Sequence, residues 1–146
     1  MIFTDFATDP KIRAAGLWRV VDTELVQIAF WATPEMSREI ADGFASATQR
    51  VNRSQTALGI VGAVMDGAPR ISVAAELPPD RGSGLWLRRF EADRSVAMPL
   101  VRDDVTIAIV SVAIRGVENA DLFDRLRHFL ESWADGAGLA ILDIPE

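Results

Sequence analysis

Cysteine is absent from the 146-residue chain, and histidine occurs once. The first absence removes disulfides, thiolate nucleophiles and every cysteine-ligated metal site together. The second leaves His128 without a partner for a two-histidine metal site or a two-histidine mechanism. On a C-terminal helix His128 falls about 200° from Leu126, opposite the apolar stripe, and is expected to face solvent. Basic runs are also missing. With 15 Lys and Arg against 21 Asp and Glu, the formal net charge is −6, so binding driven by a nucleic-acid backbone is not expected. Apolar stretches are too short, or too broken by charge, Pro and Gly, to span a bilayer. The first ten residues carry acids where a secretory signal would have a basic region and an apolar run. We therefore expect a soluble, cytoplasmic protein with no membrane or nucleic-acid partner.

Apolar residues make up 49% of the sequence, enough for a real core and against disorder. Residues 95–115, SVAMPLVRDDVTIAIVSVAIR, read as two long strands joined by a tight turn at Asp103-Asp104. The second arm, residues 105–114, is apolar on both parities, which is the pattern of a central strand covered on both faces. Residues 16–33 read as another hairpin. A three-residue turn, Asp22-Thr23-Glu24, would set Val21 opposite Leu25 and Arg19 opposite Gln27, with Trp18, Val20, Val26, Ile28 and Phe30 on the other face.

Helices are expected in several places. Asp9 as a cap, Pro10 at the first position and Gly16 as a stop suggest a short helix over residues 10–15. Thr33-Pro34-Glu35 starts a longer one, and Met36, Ile40, Phe44, Ala47 and Val51 carry its stripe to about residue 52. Residues 59–65 form a short helix and residues 70–74 a brief strand. Residues 76–84, with two prolines and two glycines, are the most loop-like part. Ser83 could cap a helix over residues 85–92, with Trp86 and Phe90 four apart and Arg88 and Arg89 beside them. Residues 120–142 form an amphipathic C-terminal helix with Leu122, Leu126, Phe129, Leu130 and Trp133 on its apolar side.

This order of elements resembles the GAF domain, a sensor module. Gly59-Ile60-Val61-Gly62-Ala63-Val64, followed by Asp66-Gly67-Ala68-Pro69-Arg70-Ile71, is similar to that family's glycine-containing helix, turn and strand. Met98-Pro99-Leu100 and residues 105–113 resemble its next two strands. The resemblance covers residues 16–143 and implies an α/β (α+β) fold, a central antiparallel sheet of five or six strands with helices on both sides. Residues 1–15 would form an N-terminal segment, and residues 16–146 the domain. Two positions depart from the pattern: Ala108 stands where the family often has Gly, and the usual long first helix is reduced to residues 10–15.

By the same resemblance, a ligand would lie between one sheet face and the helices and loops that cross it. Arg19, Gln27 and Trp31, with Trp86, Arg89 and Phe90, become the candidate ligand-binding residues, an aromatic wall with a few polar groups. The glycines at 59 and 62 resemble a fragment of a phosphate-binding loop, but neither the full glycine run nor a following Lys-Ser/Thr is present, and packing explains them better. Asp103-Asp104 fits turn chemistry better than a catalytic acid pair. No serine stands in a nucleophile-elbow context.

Free methionine sulfoxide reductases with GAF-like folds and most bilin receptors depend on cysteines, which this chain lacks, so it is not expected to be an enzyme. Two functions stay open. One is a stand-alone sensor that binds a small molecule non-covalently, no cofactor being nameable, and signals to a protein partner. The other is a ligand-free dimerisation or docking module. A homodimer through the C-terminal helix is expected, because the reduced first helix leaves apolar helix surface that another subunit could cover, and Leu139, off the main stripe, adds to it.

Overall fold

The computed structural model describes residues 1–138, so Leu139 and the end of the expected C-terminal helix lie outside the described residues. Six strands form one antiparallel sheet: β1 (Ile12–Val21), β2 (Glu24–Ala32), β3 (Arg50–Asn52), β4 (Arg70–Val73), β5 (Arg94–Arg102) and β6 (Val105–Ile114). Their order is β3-β2-β1-β6-β5-β4, which places β1 and β6 at the centre. Helix α1 (Thr4–Ala7) and α5 (Leu122–Trp133) cover one face. On the other lie α2 (Arg38–Ala47), α3 (Gly59–Asp66) and α4 (Gly82–Arg89).

β6 has the doubly covered character read from its sequence. Ala108, Val110, Val112 and Ile114 pack toward α5, whereas Ile109 packs toward α3. The turn before it holds Asp103 and Asp104 at φ 50° and 64°, the two left-handed residues of a tight hairpin turn. α3 ends at Gly67, whose φ of 62° lets its N–H cap the Ala63 carbonyl.

Three local expectations are corrected. The first hairpin turns on two residues, with Val21 opposite Glu24 and Trp18 opposite Gln27, and a bulge beside Leu17 leaves Ile28 as the extra residue. That one-residue change exchanges the faces of several β2 side chains. Residues 12–15, expected to be helical, belong to β1, because pairing with both β2 and β6 outweighs a local cap signal. The first helical turn instead comes earlier, at α1. The helix expected over residues 34–52 is confined to α2, and Val51, which continues its i+4 spacing, is a fully buried residue of edge strand β3.

On the α5 face, Leu122, Leu126, Leu130 and Ala134 seat on the sheet. Phe3 and Phe6, both buried, bring the N-terminal segment onto Phe129, each with its ring centroid 5.4 Å away. Arg125 ties the same segment down through Asp9 at 3.0 Å and Asp5 at 3.3 Å. Burial opposes the charge on Asp9, but the Lys11 backbone N–H and the Arg125 guanidinium outweigh it and hold its carboxyl below the ordinary value. Among the described residues no helix is long and apolar enough to cross a membrane.

Candidate ligand site between the sheet and helices α2 and α4

The face of the sheet away from α5 carries an aromatic cluster centred on Phe44 of α2. Its ring lies 5.2 Å from Phe30, 5.0 Å from Phe90, 5.1 Å from Trp86 and 6.3 Å from Trp18. The Phe90, Trp86 and Trp18 contacts are edge-to-face, the arrangement that the ring quadrupole favours. These five aromatic residues help enclose a cavity of about 50 Å³, floored by Gly16, Ser95 and Ser111 on three neighbouring strands.

The floor is open because of how β1 is built. A Cβ at Gly16 would stand 2.6 Å from Cζ3 of Trp18, so a glycine there lets the indole lie back over its own strand. The indole N–H then donates to the Thr48 carbonyl at 2.8 Å. The Thr48 hydroxyl donates to the Phe44 carbonyl and accepts from the Gln27 amide, which also donates to Ala45. This network locks the end of α2, and with it the Phe44 ring, onto the first hairpin.

The roof is α4, held at both ends. At its start Gly82 has φ 58° and packs so closely on Ala57 that a side chain would overlap the Ala57 carbonyl. Ser83 accepts a hydrogen bond from the Gly59 N–H, so it caps the neighbouring helix α3, whereas a cap on its own helix was expected. At the other end Arg13, only 3% exposed, donates from Nε to the Phe90 carbonyl at 2.9 Å.

The structure brings together some of the residues expected at the site and separates others. Trp86 and Phe90 line the cavity. Arg89 stacks on Trp86, 4.9 Å from the ring centre, on the exposed side of α4. Gln27 faces α2, where it serves the Thr48 network just described. Trp31 packs on the α5 face, and Arg19 stands opposite Val26 and Ala108 in the sheet. Phe30, Phe44 and Trp18 form the rest of the wall and were not expected there. Phe30 and Trp18 share a face as expected, but the ligand was expected on the opposite face, with Arg19 and Trp31, and Phe44 looked like one position of an ordinary helix stripe. Ser95 and Ser111 carry the polar atoms of the floor, and their side chains make no hydrogen bond among the described residues.

No family model matches the chain. A search of curated proteins also finds no match. Solved structures do match. Residues 122 to 287 of a methyl-accepting chemotaxis protein align over 97% of this chain and 84% of their own, with TM-score 0.65 and 15% identity. The GAF domain/HD domain protein from Geobacter sulfurreducens aligns over 99% and 95%, with TM-score 0.65 and 11% identity. Free methionine-R-sulfoxide reductase from Neisseria meningitidis, solved in complex with its substrate, aligns over 88% and 71%, with TM-score 0.58 and 17% identity. Six antiparallel strands, helices on both faces and these alignments over nearly the whole chain show that the protein has a GAF fold.

Proposed function

We propose that the protein is a sensory or regulatory GAF module that takes a small molecule non-covalently into the aromatic cavity and passes the change to a protein partner. The observation that carries this reading is the aromatic-walled cavity itself. Aromatic walls and a floor with two serine hydroxyls are the composition of a small-molecule site. Its size sets the ligand class. A cavity of about 150 Å³ accepts benzene, so 50 Å³ demands an outward shift of α4 and suits a small, flat, mostly apolar molecule with one or two polar atoms. Thiol chemistry of the sulfoxide-reductase kind has no residue to carry it, since the sequence lacks cysteine.

The small volume also favours a second reading, a module whose pocket is filled by its own side chains and which serves only in docking. A thermal-shift panel of nucleobases, amino acids and small aromatic acids separates the two. At 100 times its dissociation constant a ligand is expected to stabilise by about 2.7 kcal/mol, with side-chain NMR shifts at Phe44 and Trp86. Silence across the panel in both readouts selects the docking module.

We also assign the α1 and α5 flank to contact between two copies of this chain. Met1 and Ile2 are exposed there, 73% and 47%, beside a groove walled by Phe129 and Trp133. Sedimentation at high micromolar concentration should show a dimer that Trp133→Glu dissociates. A wild-type monomer at that concentration would refute the assignment.

A further inference from the structure

We propose a second binding site, for a small oxyanion of the phosphate type, in the cleft between the first turn of α3, edge strand β4 and the loop that precedes α4. The cleft measures about 240 Å³, and its polar wall is Thr56, Arg70, Ser72 and Arg81. It is distinct from the aromatic cavity and independent of that reading: of their lining residues the two share only Gly59.

The spacing of two glycines builds this wall. Arg70 and Ser72 are two apart on β4 and so project from one face of the strand. Gly59 and Gly62 are three apart on α3 and present one face of the helix to them. A Cβ on Gly59 would stand 2.6 Å from the Ser72 hydroxyl, and one on Gly62 would stand 2.6 Å from Nη1 of Arg70. Each glycine therefore makes room for one polar side chain that lines the cleft, a role more specific than helix packing.

Ser72 is the observation that points to a ligand. It is 6% exposed, its side chain makes no hydrogen bond among the described residues, and it borders the cleft. Its Oγ is not among the fully buried atoms, so the hydroxyl opens onto the cleft and is available to donate to a bound oxygen. Three features give the site its sign. Arg70 and Arg81 approach from two sides, and their own acids hold them loosely, Asp66 at 3.6 Å and Asp80 at 3.7 Å, both pairs largely exposed. The start of α3, whose Gly59 N–H is already taken by Ser83, adds only the positive end of its helix dipole. In a chain of net charge −6 this is a local concentration of donors. A group with three or four acceptor oxygens satisfies two guanidiniums and a hydroxyl at once, which a single carboxylate does less completely.

Inorganic phosphate, titrated into the wild-type protein at constant ionic strength, is the test. The expected result is saturable amide NMR shifts centred on Gly59, Ser72 and Arg81, with Trp86 unmoved and acetate at least 10-fold weaker. Arg70→Gln and Arg81→Gln should each weaken phosphate about 10-fold or more, whereas Arg50→Gln on the distant edge strand β3 should leave it unchanged. Shifts that do not saturate, that spread over surface arginines, that centre on Trp86, or that survive both cleft substitutions would overturn the proposal. Equal binding of acetate would overturn the phosphate assignment.

Discussion

Replacing Trp18 by alanine is expected to lower the unfolding free energy by about 3–5 kcal/mol, the range found for deleting a large buried aromatic. Trp18 is 1% exposed and sits between β1, Phe44 and the end of α2. The loss has two parts. Most of it is apolar surface removed from the core, with an empty space that the sheet on one side and α2 on the other cannot easily close. The remainder is the indole N–H, whose departure leaves the Thr48 carbonyl without that donor. Trp18→Phe separates them: it keeps most of the ring and should cost only about 1–3 kcal/mol. Urea unfolding followed by far-ultraviolet circular dichroism measures both. A loss below about 1 kcal/mol for Trp18→Ala would mean that the aromatic cluster does not rest on this residue.

The same residue shows what the sequence conceals. β5, β6, α3 and the described part of α5 were legible because their periodicity and their surroundings agree: alternating or doubly apolar strands, a glycine-closed helix, a stripe at 100° per residue. The first hairpin was not, because its faces depend on one residue of turn length. Asp22 accepts φ 52° and closes the turn in two residues, and the bulge at Ile28 then restores the outer part of β2 to its expected parity against β1. Trp18 and Gln27 consequently share a face, whereas Trp31 goes to α5. Val51 is a similar case. Its spacing from Ala47 suits a helix, but β2 offers an open edge, and pairing with it buries Val51 completely. Trp86 and Phe90 could be placed from sequence because they lie four apart on a helix that a loop delivers to the sheet. The cleft beside α3 could not, since only the packed structure shows that Gly59 and Gly62 face Ser72 and Arg70.

Arg13→Met is expected to cost about 2–3 kcal/mol and to loosen α4 selectively. Arg13 stands at a β1 irregularity between Ile12 and Ala14, which directs its side chain toward the α4 side of the sheet. Its guanidinium meets Glu35 at 3.2 Å and Glu91 at 3.9 Å, and both carboxylates are more than three-quarters exposed. Once Arg13 is gone those acids stay hydrated, so the large penalty of a stranded buried charge does not arise. Glu35→Gln and Glu91→Gln should accordingly cost less than about 1 kcal/mol each. What Arg13→Met removes is the buried, charge-assisted bond to the Phe90 carbonyl, at the point where α4 ends and the chain returns to β5. Native-state hydrogen exchange should therefore show faster opening at Trp86, Leu87 and Phe90 than at Leu126 and Leu130 of α5. Equal acceleration in both helices would make Arg13 a general stabiliser and refute its role as the clasp of the roof. With selective opening, Trp86 and Phe90 move away from Phe44 at little cost, and any ligand of the aromatic cavity should bind Arg13→Met faster than it binds the wild type.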